Sequence, residues 1–200
     1  MTAEKLILLI FAFKEIRMKQ NKINLLLAAL LIFAAAFAKV ITHPHTFDPI
    51  IGMALFGGAV IKDRRLAFAL PLLAMFLSDV ILEMSKIDAG FYGWSQLINY
   101  GVLILITLVG SLMKKINVVN VIGLSLASSV IFFILSNLGF FLIDNPIYKL
   151  YPNTFDGLAV CYAKAIPFFK WYIDLAFSVI LFGSYYLMTN YVIKTKQVAA

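Results

Sequence analysis

Apolar positions run along this chain in long unbroken stretches, and short clusters of charge and turn residues separate them. Continuous apolar runs of roughly 18 residues or more suit helices that cross hydrocarbon, whereas barrel strands alternate apolar and polar positions. The pattern predicts six spans, over 22–41, 49–61, 66–83, 96–113, 118–143 and 171–193. The second is short and carries Gly52, Gly57 and Gly58, while the third holds Pro71, which a bundle tolerates where neighbours satisfy the freed carbonyl. Residues 1–21 have a short apolar core from Leu6 to Phe13 and read as an interfacial helix or an extension. Residues 194–200 form a basic tail. In the long connection after the fifth span, Asn153 or Thr154 is placed to cap a short helix through roughly Lys164, with Pro167 beyond its end. The expected fold is all-α, a polytopic six-helix membrane bundle preceded by that N-terminal segment.

Composition agrees with this pattern. Of 200 residues, 62% are hydrophobic, and the mean hydropathy is +0.94. A soluble domain of this size cannot cover so much apolar surface. The net charge of +7 does not point to nucleic acid, because the basic residues lie at the ends of apolar runs. They also predict an orientation. The N-terminal segment, the 62–65 turn, the 114–115 turn and the tail hold twelve Lys/Arg, against five (Lys39, Lys86, Lys149, Lys164 and Lys170) on the other side. That bias places both termini in the cytoplasm. A single cysteine, Cys161, excludes an internal disulfide and any cysteine-rich metal site.

With that orientation the costly polar residues fall toward the outer side. Asp79 and Glu83 share one face of the third span, and Asn99 and Tyr100 begin the fourth. Ser136 and Asn137 lie near the outer end of the fifth, and Asp174 lies near Trp171 and Tyr172 at the start of the sixth. His43, His45 and Asp48 occupy the first outer loop, and Tyr148, Tyr151, Asn153 and Tyr162 the last. Ionisable groups within a membrane are expensive unless they face a cavity or a partner. Their convergence with aromatics predicts a solute pocket, with Trp94, Tyr100, Tyr162 and Trp171 as stacking surfaces. Asp79 faces that pocket or makes a structural polar contact with Asn99, Asn137 or a backbone group. His43, His45 and Asp48 are chemically suited to a divalent ion, but lack metal-site spacing, so a loop covering the pocket is the preferred reading and no metal is assigned. Cys161 reads as a buried small hydrophobe. No phosphate-binding loop, serine elbow or metalloprotease motif is present, so no catalytic residue and no cofactor is assigned.

The stretches HPHTFDPIIGMALFGGAVIKDRRLAFALPLLAMFLSD and YPNTFDGLAVCYAKAIPFF resemble an uncharacterised family of small bacterial membrane proteins. The six-span pattern, the cytoplasmic termini, an Ala-x-x-x-Ala face on the first span and a lid-like outer loop resemble the substrate-specific S-components of energy-coupling factor vitamin transporters, to which that uncharacterised family looks related. That resemblance implies a multi-pass protein of the bacterial cytoplasmic membrane that binds a small, vitamin-like nutrient at the outer side. It implies further that Ala34 and Ala38 dock on a transmembrane coupling subunit driven by separate ATPases. The ligand does not carry over; cobalamin is one conceivable case, with His43, His45 or Cys161 as cobalt ligand. The expected substrate contacts are His43, His45, Asp48, Asp79, Asn99, Tyr100, Asn137, Tyr162 and Trp171. Two rivals remain open: an intramembrane enzyme acting on a lipid or isoprenoid headgroup, and a non-catalytic assembly partner in a membrane complex.

Overall fold

The computed structural model describes residues 3–42, 49–86, 89–91 and 93–193, with side chains described for 21–41, 49–86, 89–91 and 93–190. His43, His45 and Asp48 therefore lie outside the described residues, as does the tail 194–200. The described chain is all-helical. In order it forms α1 (Ala3–Thr42), α2 (Ile50–Val60), α3 (Arg64–Ser85), α4 (Ser95–Ser111), α5 (Val118–Ile143), α6 (Asn145–Tyr148), α7 (Phe155–Ala165) and α8 (Trp171–Leu187). A 3₁₀ turn, Ile166–Phe168, follows α7, and a π-helical turn, Met188–Ile193, follows α8.

Among the described residues, four helical stretches are long and apolar enough to cross a membrane: Asn21–Ile41, Arg64–Ser85, Val118–Ile143 and Trp171–Asn190. α2 and α4 are apolar but shorter. At 1.5 Å per residue they extend about 16 Å and about 25 Å. The N-terminal segment is not a separate helix, because α1 continues without a break from Ala3 to Thr42.

The shortest apolar helix lies at the centre. Every residue of α2 from Ile50 to Gly58 is buried, and it packs against α1, α3, α4, α5 and α8. Small residues permit these approaches. A Cβ on Gly58 would lie 2.0 Å from the Thr107 carbonyl oxygen, and one on Gly110 would lie 2.3 Å from that of Leu55. α2 and α4 therefore touch backbone to backbone, a close contact of the kind that drives helix association in lipid. Gly57 leaves the notch that receives the Pro71 ring of α3. Phe56 fills the remaining space toward α8, edge-on to Phe182 at 5.2 Å. A buried Ser125–Ser178 hydrogen bond of 3.0 Å ties α5 to α8.

Helix starts follow local chemistry. Asp63 accepts from the Arg65 and Leu66 amides, Asn117 from Asn120, and Thr154 from Gly157, each supplying an acceptor to otherwise unpaired first-turn N–H groups. α7 begins after Thr154, one of its two expected caps, and Pro167 stands beyond its end.

Candidate functional site

The ends of α1 and α3 and the start of α4 meet around one carboxylate. Asp79 is 2% exposed, and its Oδ1 accepts from Lys39 Nζ at 2.9 Å in a buried ion pair. Its Oδ2 accepts from the Tyr100 hydroxyl at 2.7 Å and from Gln96 Nε2 at 3.2 Å. A buried ion pair survives only where geometry and further hydrogen bonds offset desolvation, and all three partners contribute here. Its partners differ from those expected. Lys39, Gln96 and Tyr100 hold it, in place of Asn99, Asn137 or backbone.

The turn that leads into α4 is pinned by three carboxylates. Gln96 Nε2 donates to the Gly90 carbonyl at 2.9 Å, linking the turn to Asp79. Glu83 Oε2 accepts from the amides of Gly90 (3.0 Å) and Phe91 (3.3 Å). Asp144, buried at the end of α5, accepts from the amides of Trp94 (3.1 Å) and Ser95 (3.2 Å) and from the Ser95 hydroxyl. Asp144 therefore supplies an acceptor and negative charge at the start of α4 from a distant part of the chain. Gly93 lies beside it at φ +144°, a conformation that side chains rarely adopt.

This pinned turn forms one wall of a groove of about 820 Å³ between α3 and α4. Leu72, Leu73 and Phe76 line it from α3, and Gln96, Leu97, Tyr100 and Ile104 from α4. Phe91, Gly93 and Trp94 of the turn, with Tyr148 of α6, complete the lining. The Phe76 and Phe91 rings stand 6.1 Å apart. The volume falls within the range of about 300–1,000 Å³ common for small-molecule sites. Asp79 does not line the groove; it stands behind Gln96 and Tyr100, fixing both side chains.

The expected site residues therefore separate. Asp79, Tyr100 and the buried Asn99 belong to the α3–α4 region. Asn137 is turned to its own helix, donating to the Phe133 carbonyl at 2.7 Å. Tyr162 fastens α7 to α5 through a 2.7 Å bond to the Ile134 carbonyl, and its ring meets Phe133 at 5.9 Å. Trp171 stands edge-on to Tyr172 at 6.0 Å and is about half exposed. These three residues do not line the groove. Ala34 lies on the exposed flank of α1 with Leu30 and Phe37, while Ala38 is half-buried and Ala35 and Ala36 pack inward. Among the described residues, no three His, Cys, Asp or Glu side chains gather as a metal site.

Several contributors are visible in the sequence only as something else. Lys39 reads there as a topological charge and Gln96 as the start of a span. Phe76 and Phe91 merge into apolar or loop composition. A basic residue near the end of one apolar run and an acidic residue within another is the one signal that pairs Lys39 with Asp79.

The described residues thus form an all-helical bundle, with four helices long and apolar enough to cross a membrane and a groove backed by a buried ion pair. The chain belongs to DUF6580, a family of unknown function whose model matches residues 19–197. No curated protein and no solved structure matches it.

Proposed function

We propose that this chain is a substrate-binding membrane subunit for uptake of a small, vitamin-like nutrient, energised by a separate ATPase module in the manner of an S-component. The observation that carries the reading is the α3–α4 groove, whose wall is fixed in advance by Asp79, Glu83 and Asp144. Pre-organised walls reduce the ordering cost of binding, which is what a site must do to hold a dilute solute. The resemblance of the six-span pattern and the Ala-x-x-x-Ala face to S-components favours the same reading. In it, α2 and α4 complete six spans with the four longer helices, both termini are cytoplasmic, and the groove lies toward the outer face. The exposed flank at Ala34, with Ala38 beside it, is where a coupling subunit docks.

Mass spectrometry of small molecules retained on gently purified protein tests the reading. One solute should accompany the wild type and be lost from Leu72→Phe, which fills the groove. No retained solute, together with unchanged uptake of a broad vitamin panel on deleting the gene, would overturn it.

A further inference from the structure

The groove has a chemical character that narrows its ligand, given the reading of it as a binding site. We infer that it takes a neutral, lipid-soluble molecule built on a planar ring, which enters sideways from the bilayer. Three observations carry this.

The first is where the groove opens. It lies between α3 and α4, and its rim residues Leu73, Phe76, Leu97 and Ile104 are 47%, 47%, 63% and 45% exposed. Apolar side chains left open on membrane helices face hydrocarbon, so the mouth meets lipid. A strongly hydrated solute would have to shed its water to arrive there.

The second is charge. Among the described residues, no charged side chain lines the groove. Three described carboxylates around it are engaged elsewhere: Asp79 with Lys39, Glu83 with the Gly90 and Phe91 amides, and Asp144 with Trp94 and Ser95. A cationic or anionic ligand would be desolvated there with no counter-ion among the described lining residues, a heavy cost in an apolar setting.

The third is shape. Phe76, Phe91, Trp94, Tyr100 and Tyr148 make five of the eleven lining residues aromatic. Rings recognise flat ligands through stacked and edge-on contacts that an acyl chain does not exploit. At the floor, Gln96 and Tyr100 are held in place by Asp79, so the wall against which a flat ligand rests is fixed.

The chain has two tryptophans, and Trp94 is the one in the groove. The full-length Trp171→Phe protein in nanodiscs of zwitterionic phosphatidylcholine thus reports from the site alone. Three probes are titrated: menaquinone-4 (a neutral prenylated naphthoquinone), thiamine (a cation) and biotin (an anion). Menaquinone-4 should quench Trp94 saturably at one equivalent, with thiamine and biotin silent. Leu72→Phe, or Ile104→Phe should the first fail to fold, should weaken the quench about ten-fold. Saturable quenching by thiamine or biotin with menaquinone-4 silent would overturn the ligand class while leaving the binding reading intact. A linear quench by menaquinone-4, unchanged by either groove variant, would show partition into lipid only and would also overturn it. Silence from all three probes, with no solute retained on the purified protein, would remove both the ligand class and the binding reading.

Discussion

Replacing Asp79 by Asn tests whether the buried ion pair is coupled as its geometry indicates. At 2.9 Å and an effective dielectric of about 20, the Lys39–Asp79 attraction is about 6 kcal/mol. Desolvation of two ions offsets most of that, so the pair as a whole is close to neutral for stability. Removing one partner is different, because the other charge stays buried and loses a close counter-charge. Asp79→Asn removes the carboxylate charge 2.9 Å from the Lys39 ammonium and weakens the hydrogen bonds from Tyr100 and Gln96. The expected cost is about 3–5 kcal/mol, and Lys39→Met should cost a similar amount. The double variant removes both charges and keeps an amide oxygen for Tyr100 and Gln96, so it should lie within about 2 kcal/mol of the wild type. Reversible unfolding by SDS titration from mixed micelles, followed by tryptophan fluorescence, gives all four stabilities and hence the coupling energy. Strict additivity, with the double variant as unstable as the sum of the singles, would refute a coupled pair.

Further outcomes follow from packing and burial. Gly110→Ala and Gly58→Ala drive a methyl into facing backbone and should each cost about 1–3 kcal/mol or more, whereas Gly123→Ala, with nothing within 4 Å, should be neutral or slightly stabilising in the same titration. Asp144→Ala strips the start of α4 of its acceptor and should cost about 1–3 kcal/mol, with hydrogen exchange rising at Trp94 and Ser95 and unchanged exchange counting against the cap. Burial pushes the Cys161 thiol above its ordinary pKa, so at any given pH less of it is thiolate than in an unfolded chain. Iodoacetamide should therefore modify the folded protein at pH 8 roughly ten-fold or more slowly than the SDS-unfolded protein, with the rate still climbing at pH values where the unfolded chain has levelled off. Equal rates in both forms would contradict the burial.

The long helices are legible because each needs only its own run of apolar residues and a stop. α5 begins and ends where the pattern changes, and the Thr154 cap and Pro167 mark α7 by local chemistry alone. The central position of α2 is not legible, since a helix buried on every side has no amphipathic stripe to point with. The site is less legible still. Asp79 stands out as a costly group, but its ion-pair partner lies forty residues away on another helix. Asn137 looks equally costly and is satisfied within its own helix by the Phe133 carbonyl, an option every helical asparagine has. The turn before α4 depends on carboxylates from α3 and α5, an arrangement that exists only after those helices pack. Sequence spacing reports which groups need partners; tertiary packing decides which partners they get.

An α2 of about 16 Å, against a hydrocarbon core of about 30 Å, also bears on how the chain is made. Such a helix is a poor candidate to settle in the bilayer one segment at a time during synthesis. The nearest atoms at its glycine notches belong to α3, α4 and α8, all of which emerge after it from the ribosome. The centre of the finished molecule is therefore one of the last parts to reach its final place, and faults in α4 or α8 should appear first as failed biogenesis of α2.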